Sequence, residues 1–268
     1  MACMFTEFQE QLIRHITSTG NLGDAERHLL QTEKAKFVRP AFVFACGEAV
    51  GLTQNQLTNE ANAVEFMHTA TLLHDDIIDE AQERRGKQSV NAKHGNKIAV
   101  LAGDGLLAKS LSLLLHTPHA DKAVSRAGDT LIGMTESVAV EIEAYQKPEE
   151  ITKEQLIEVV DGKTGALFAL CGYLAGLAAN NENAATQFSR IGILIGQVFQ
   201  INDDIDDIEE DTRGNVTTIP TLLGEEAARV HVESAIAEIK STVAQLDCDT
   251  EAQRKLLMTI SDIIRSPL

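Results

Sequence analysis

Two short aspartate clusters are the residues of this 268-residue chain whose types and spacing could do chemistry. The two Asp-Asp-x-x-Asp motifs are Asp75-Asp76-Ile77-Ile78-Asp79 and Asp203-Asp204-Ile205-Asp206-Asp207. On a helix, positions three and four apart share a face, so each motif places three like charges on one side of its helix. Apolar residues flank both motifs, which indicates that these carboxylates lie where helices pack and that they need a counter-charge.

Carboxylate oxygens are hard ligands that suit Mg²⁺, an ion that commonly keeps some waters and completes its shell with phosphate oxygens. Two facing motifs are therefore predicted to hold a diphosphate through bridging metal ions. Calcium is the alternative ion, although the chain has no loop with the glycine-containing EF-hand spacing. A solvated acidic face is the alternative without a ligand.

Three basic groups could contact a diphosphate directly. They are Arg84-Arg85-Gly86 just beyond the first motif, Lys36 with Arg39-Pro40 near the start of a helix, and Lys163-Thr164 in an otherwise apolar segment. The planar guanidinium of arginine matches phosphate oxygens through two parallel hydrogen bonds. His68, seven residues before Asp75, is a further candidate for the same role, whereas His74 is interpreted as structural.

The elements that position these residues are predicted to be helices throughout. Long stretches rich in Ala, Leu, Glu, Gln and Lys carry apolar residues every three to four positions, which predicts an all-α fold without strands. The predicted helices cover about residues 4–18, 38–51, 55–80, 95–116, 121–145, 152–180, 184–209, 224–245 and 250–264. The connections fall at 18–24, 117–121, 146–152 and 180–183, and 211–218 is predicted as a loop because Gly214 and Asn215 interrupt the pattern. These connections are short, so one domain over residues 1–268 is expected.

Composition narrows the class of protein. The formal charge of −17, with 40 acidic and 23 basic residues, argues against a nucleic-acid partner. The four cysteines show no Cys-x-x-Cys spacing, which is typical of reduced thiols in the cytoplasm. The first residues do not follow the layout of a signal peptide, and no apolar run approaches the roughly 20 residues of a membrane span.

Several motifs together resemble the trans-isoprenyl diphosphate synthase, or polyprenyl synthetase, family over residues 36–224. The matching segments are His74 to Asp79 with Arg84-Arg85-Gly86, Gly95-Asn96-Lys97, Gly103-Asp104-Gly105-Leu106-Leu107, Lys163-Thr164, and Phe199 to Asp207. The resemblance implies a single large helical bundle of the isoprenoid synthase type with a central active-site cavity. It also implies a homodimer.

The resemblance implies a Mg²⁺-dependent prenyltransferase that condenses isopentenyl diphosphate with an allylic diphosphate to give a longer trans-polyprenyl diphosphate. It also implies three Mg²⁺ ions per active site, with Asp75, Asp79, Asp203 and Asp207 as their ligands. Asp76 belongs to the same catalytic motif. The resemblance places Arg84 and Lys163 beside the phosphates of the allylic substrate. It places Thr164 and Gln200 near the positive charge that develops in the reaction. The residues it implies for isopentenyl diphosphate are Lys36, Arg39, His68 and Arg85.

Two departures from the family pattern bear on function. The usual Gly-Gly-Lys-x-x-Arg-Pro is replaced by Lys34-Ala35-Lys36-Phe37-Val38-Arg39-Pro40. The lysines that usually follow the second motif are missing, since no lysine occurs between Lys163 and Lys240. These differences leave a regulatory subunit of a heteromeric synthase as the alternative function. A terpene cyclase is a more distant alternative, because its second metal motif is normally of an Asn/Ser/Glu type.

The resemblance also bears on product length. Ala70 and Thr71 lie about one turn before Asp75, where early-stopping members often carry an aromatic floor under the substrate tail. Small side chains there favour a geranylgeranyl or longer product. The region after Gly224 has few residues, which is typical of short-chain members and favours a shorter product.

Overall fold

The computed structural model describes residues 2–32, 34–146, 151–214 and 216–265. The described residues are predominantly helical, which confirms the all-α prediction. Their contacts divide the chain into two compact units. Unit 1 comprises Met1–Pro40 and Thr58–Ala120, and unit 2 comprises Ala41–Leu57 and Asp121–Leu268. The assignment of one domain to residues 1–268 stays a prediction.

Unit 1 is built around a pair of packed helices. Its elements are α1 (Ala2–Arg14), α2 (Gly20–His28), the first three residues of α3 (Val38–Ala49), α4 (Thr58–Ile78), β1 (Glu83–Arg84), β2 (Lys87–Gln88), α5 (Val90–His94) and α6 (Asn96–Leu114). Helix α4 packs along α6, and α2 and α5 pack against α6 as well. Fully buried side chains such as Phe66, Leu73 and Leu106 fill this core.

Unit 2 is built around α10. Its elements are the rest of α3, a 3₁₀ turn (Gln54–Leu57), α7 (Ala120–Gln146), α8 (Lys153–Val160), a π-helical turn (Asp161–Gly165), α9 (Ala166–Ala178), α10 (Glu182–Asp206), α11 (Ile208–Gly214), α12 (Ile219–Leu223), α13 (Glu225–Ala244) and α14 (Thr250–Ile264). Helices α9 and α13 pack on α10, and Phe42, Phe168 and Phe188 are fully buried. Helix α9 is apolar on almost every side, as expected of a helix surrounded by protein.

Side-chain caps explain where several helices begin. The side chains of Ser89, Thr152, Asn181 and Asp249 each accept a hydrogen bond from a backbone amide in the first turn of α5, α8, α10 and α14 respectively. At α8 the side chain of Gln155 also bonds the backbone of Thr152, which completes a capping box. Such caps satisfy backbone amides that have no partner within the helix.

Several local predictions were wrong. The predicted helix 184–209 is divided between α10, which ends at Asp206, and α11, which begins at Ile208. The expected break at 18–24 is largely occupied by α2, and the expected loop at 211–218 begins with the last turn of α11. The predicted helix 152–180 begins at Lys153, but it contains the π-helical turn rather than a uniform α-helix. The two-residue strands β1 and β2 pair antiparallel, although no strand was predicted. Two residues are too few for an alternating pattern to show in the sequence. Residues 147–150 of a predicted connection and residue 215 of the predicted loop lie outside the described part of the chain.

Within the described ranges, the helices are all too short or too polar to cross a membrane.

Candidate active site

The first aspartate motif lies at the end of α4 in unit 1. Burial distinguishes its members: Asp75 is half-buried, Asp76 is completely buried and Asp79 is exposed. The backbone amide of Asp79 donates to the carbonyl of Asp75 at 2.8 Å, so the motif remains helical up to its last residue. Three carboxylates of one motif therefore have three different environments.

Asp76 and Arg84 form a buried ion pair. Nε of Arg84 donates to Oδ1 of Asp76 at 2.7 Å, and Nη2 lies 2.7 Å from the same oxygen. The other oxygen, Oδ2, is buried without a hydrogen-bond partner. Burial raises the pKa of Asp76, while the hydrogen bond from Arg84 opposes that rise. Arg84, predicted to contact phosphate, is thus held by an aspartate in this structure, and Asp76 positions it.

A tight hairpin turn follows and presents the second arginine. Arg85 and Gly86 connect β1 to β2 with φ of 55° and 73°, as in a type I′ turn, for which glycine is well suited. Nη1 of Arg85 donates to the carbonyl of Leu29 at 3.2 Å. The Nζ of Lys34 lies so close to Gly86 that a Cβ there would be 2.6 Å from it. Lys34 replaces a glycine of the family pattern, and its ammonium joins this basic turn.

In unit 1, three of the predicted isopentenyl diphosphate residues lie near one another: Arg39, His68 and Arg85. The two arginines also lie near a buried glutamate. Glu65, on α4, is 1% exposed, and burial raises its pKa to about 7 although Arg85 and Arg39 oppose the rise. Burial also lowers the pKa of His68 well below its usual value, and the three nearby arginines lower it further. Arg39 is 8% exposed, whereas Lys36 is exposed. His68 is therefore neutral at pH 7, and the positive charge of this cluster comes from its arginines.

The second motif lines a cavity within unit 2. The cavity has a volume of about 230 Å³. Its lining residues are Glu141, Ala144, Ile151, Leu156, Val159, Val160, Lys163, Thr164, Gln200, Asp203, Asp204, Asp207, Asp211, Val216, Thr217, Thr218 and Ile219. The predicted residues Lys163, Thr164, Gln200, Asp203 and Asp207 are all in this set. Among its described lining residues, five acidic side chains therefore accompany one lysine.

Hydrogen bonds connect the cavity residues of the π-helical turn to neighbouring helices. Nζ of Lys163 donates to Oε2 of Glu141 at 2.7 Å. Oγ1 of Thr164 donates to Oε1 of Gln200 at 3.1 Å, and Nε2 of Gln200 donates to Oδ1 of Asp204 at 2.9 Å. Burial raises the pKa of Asp204 to about 6. The Lys163–Thr164 pair and the second motif are thus parts of one polar network.

The oxygen atoms of the site fit a divalent ion whose coordination shell is completed by substrate oxygens. In the described part of the chain, no three acidic, histidine or cysteine side chains converge closely enough to form a metal site by themselves. Mg²⁺ commonly takes only one or two protein carboxylates together with phosphate oxygens and waters. The carboxylates of Asp203, Asp207 and Asp211 around one cavity suit that mode.

The two residues predicted as the floor differ in environment. Ala70 is fully buried, whereas Thr71 is half-buried and its hydroxyl donates to the carbonyl of His68 at 2.8 Å. Thr71 precedes Asp75 by four residues and therefore lies on the same helix face. Neither side chain is aromatic, so neither is a bulky floor.

Two acidic partners were not predicted from the sequence: Glu141, which pairs with Lys163, and Glu65, the neighbour of Arg39 and Arg85. Both glutamates lie in helices whose sequence contains several other acidic residues. A glutamate within the apolar segment Ala61 to Met67 was the available signal for Glu65, because an acid there is buried. The Lys163–Glu141 pair spans 22 residues and has no local signal.

Comparisons with known proteins place this fold and these motifs among prenyl diphosphate synthases. The chain is 34% identical over 214 residues to nonaprenyl diphosphate synthase of Mycobacterium tuberculosis, a match that covers 75% of this chain and 63% of that protein. It is 30% identical over 268 aligned positions to a short chain isoprenyl diphosphate synthase of Methanothermobacter thermautotrophicus, covering 96% of this chain and 77% of that protein. The matched part thus spans less than two thirds of the Mycobacterium protein.

A crystal structure of an isoprenoid synthase family member from Thermotoga neapolitana superposes with a TM-score of 0.85 at 27% identity, covering 97% of this chain and 98% of that one. The model of the Polyprenyl synthetase family matches residues 22–216, well over half of the chain. That range includes both aspartate motifs, the Arg84–Arg85 turn and the Lys163–Thr164 pair. Since family model, relatives and fold agree, the chain belongs to the polyprenyl synthetase family.

Proposed function

We propose that this chain is a Mg²⁺-dependent trans-prenyltransferase that condenses isopentenyl diphosphate with an allylic diphosphate. The observation that carries the proposal is the cavity of unit 2, where Lys163, Thr164 and Gln200 meet Asp203 and Asp207. Carboxylates for metal ions, a cation for phosphate and neutral dipoles for a developing positive charge are the groups that this reaction needs. Membership of the polyprenyl synthetase family supports the same reaction.

In this proposal Asp75, Asp79, Asp203 and Asp207 hold the ions, three per active site. When bound, Mg²⁺ supplies charge stabilisation for the departing diphosphate. Lys163 and Arg84 contact the allylic diphosphate. Lys163 reaches it by exchanging its present acceptor, Oε2 of Glu141, for a phosphate oxygen. Arg84 keeps its ion pair with Asp76, which fixes the direction of the guanidinium.

Isopentenyl diphosphate is bound by Lys36, Arg39, His68 and Arg85. The allylic carbon–oxygen bond breaks, and the isopentenyl double bond forms the new carbon–carbon bond to the allylic carbon. A proton is then lost to the released diphosphate. Thr164 and Gln200 place their oxygen dipoles near the positive charge, and their mutual hydrogen bond holds both in place.

The product is proposed to be geranylgeranyl diphosphate or longer, because Ala70 and Thr71 leave no aromatic floor. A homodimer and a cytoplasmic location are also proposed, the first from the family resemblance and the second from the cysteine usage. A regulatory subunit is the second candidate. It is favoured by one observation: Arg213, the cation that follows the second motif, uses its Nε to bond the carbonyl of Glu209.

The decisive assay combines purified protein, Mg²⁺, labelled isopentenyl diphosphate and, separately, C5, C10, C15 and C20 allylic primers. Elongated products that require both Mg²⁺ and a primer are expected, and their length is read by mass spectrometry. No turnover with any primer would contradict the proposal and favour the subunit. A cyclic hydrocarbon made from one allylic substrate alone would instead indicate a cyclase.

A further inference from the structure

The π-helical turn at Asp161–Gly165 is an irregular element that carries Lys163 and Thr164. A π-helical turn has one residue more than the α-helical turn it replaces, and such turns occur frequently at functional sites. Here it connects α8 to α9 and directs Lys163 toward Glu141 and Thr164 toward Gln200. Whatever holds the turn also determines the orientation of both side chains.

Close packing holds one side of the turn. Gly165 and Gly196 are so close that a Cβ on Gly196 would overlap the Cα of Gly165. A Cβ on Gly162 would likewise overlap the hydroxyl of Ser137. The turn therefore lies directly against the backbone of α10, with no room for intervening side chains.

A chain of three polar side chains holds the beginning of the turn. Nε2 of Gln197, on α10, donates to Oδ1 of Asp161 at 2.6 Å. Its Oε1 lies 3.2 Å from Nε2 of His231, on α13. Because the Asp161 carboxylate only accepts, the Gln197 amide must point its nitrogen there and its oxygen toward His231, which is then the donor. Burial lowers the pKa of His231, so at pH 7 the neutral ring with its proton on Nε2 fits this role.

The hydrogen bonds of Gln197 and those of the cavity residue Gln200 are made from the same face of α10. Gln197, Gln200 and Asp204 are three and four positions apart on α10 and share one face. Gln200 bonds Thr164 inside the cavity, whereas Gln197, which is only 7% exposed, bonds the first residue of the same turn. Neither Asp161, Gln197 nor His231 is among the described residues that line the cavity.

We propose that Asp161, Gln197 and His231 are positioning residues that hold the π-helical turn, and through it hold Lys163 and Thr164 in the geometry that the reaction requires. This proposal rests on the proposed function. It assigns no contact with substrate to the three residues: they act by keeping the turn in register against α10.

The first test is Gln197→Met, which keeps the length of the side chain and removes both hydrogen bonds. We expect kcat/KM for the allylic diphosphate to fall by about 100-fold, because small misplacements of catalytic groups have effects of that size. The KM for isopentenyl diphosphate should stay within about twofold, since its proposed ligands are in unit 1. An unchanged kcat/KM for the allylic diphosphate, or a rise in the KM for isopentenyl diphosphate as large as that for the allylic diphosphate, would overturn the proposal.

Conservative variants separate positioning from mere stability. Asp161→Asn keeps an acceptor for Gln197 and should retain most activity, whereas Asp161→Leu should behave like Gln197→Met. The double variant Gln197→Met/His231→Phe should be no worse than Gln197→Met, because the residues act in one chain. If the two substitutions lowered kcat/KM additively, Gln197 and His231 would not act through one chain of hydrogen bonds.

Ser189→Ala is the matched control. Its hydroxyl donates to the carbonyl of Ala169 at 3.2 Å and is another side-chain bond between α10 and α9, outside the turn and four residues beyond Gly165. Ser189→Ala should leave unchanged both kcat/KM for the allylic diphosphate and KM for isopentenyl diphosphate. Thermal unfolding of every variant identifies any that fail to fold.

Amide hydrogen exchange tests the positioning role even if the wild-type chain has no prenyltransferase activity. In Gln197→Met, the amides of residues 161–165 should exchange about tenfold faster, while those of α9 beyond Cys171 stay protected. Unchanged exchange in the turn would overturn the positioning role. An inactive wild-type chain with faster exchange in the variant would instead overturn only the proposed function.

Discussion

At the residue scale, burial separates aspartates that the sequence presents as equivalent. Asp76 is fully buried and paired with Arg84, whereas Asp79 is exposed and Asp75 is half-buried. A buried carboxylate in an ion pair is costly to disturb, while a half-buried one remains accessible to an ion. The motif therefore combines one positioning residue with two proposed ligands.

Asp75→Ala should nearly abolish prenyl transfer, because the proposed ion would lose one of its few protein oxygens. We expect kcat to fall by about 1000-fold with little change in thermal stability. Steady-state kinetics at saturating Mg²⁺ measures this. Asp129→Ala is the control, since Asp129 is an exposed aspartate of α7 outside the proposed site. Full activity of Asp75→Ala would remove Asp75 from the set of ligands.

Glu60 should make stability depend on pH. It is 2% exposed near the start of α4, and burial raises its pKa from 4.5 to about 7. The folded state then binds more protons than the unfolded state between these values. The stabilisation is fully present below pH 4.5 and is lost as the pH rises through 7.

Glu60→Gln removes this titration. Between pH 5 and 8 the wild-type chain should lose about 2 kcal/mol more unfolding free energy than the variant does. Urea denaturation at both pH values gives the difference. The comparison between the two chains cancels the titration of other buried acids such as Glu65. Parallel pH profiles for the two chains would show that Glu60 titrates normally.

At the element scale, close backbone packing against α10 constrains the π-helical turn that carries Lys163 and Thr164. Gly196→Ala places a methyl group against the Cα of Gly165 and should destabilise the protein by about 2 kcal/mol. Because the turn must shift, activity should fall as well. Thermal unfolding and the elongation assay measure the two effects.

Gly128→Ala provides the contrast, since a Cβ at Gly128, in α7, meets nothing within 4 Å. Alanine is the better helix former there, so this variant should be more stable by up to about 1 kcal/mol. If both variants behaved alike, the close contact at Gly196 would not be the cause.

At the scale of the whole molecule, product length depends on how far a substrate tail can extend. Ala70→Phe should shorten the products, because an aromatic ring would be placed about one turn before Asp75. Thr71→Phe is a second variant in case the fully buried position 70 does not accept the ring. Mass spectrometry of products from a C15 primer gives the distribution. If folded variants gave an unchanged distribution of product lengths, positions 70 and 71 would not be the floor under the substrate tail.

The comparisons settle the family of the molecule and leave its product length as a proposal. Named relatives include a nonaprenyl and a short chain synthase. The absence of lysine between Lys163 and Lys240 distinguishes this chain from the usual family pattern. Its effect on activity is measured by the same elongation assay.

The sequence by itself determined the helical class, the two aspartate motifs and the basic residues near them. These depend on periodicity and short spacing, which act within one or two turns of a helix. It also predicted Lys163, Thr164, Gln200, Asp203 and Asp207 as site residues, and the structure brings all five to one cavity.

Only the tertiary structure decided which charged groups meet. Arg84 bonds Asp76 rather than remaining a bare phosphate ligand, and Lys163 bonds Glu141, 22 residues away. The π-helical turn is likewise absent from the apolar pattern, because its register depends on glycine contacts with α10 and on Gln197. Pairing between distant segments depends on how helices pack, and the local spacing of residues carries no record of that packing.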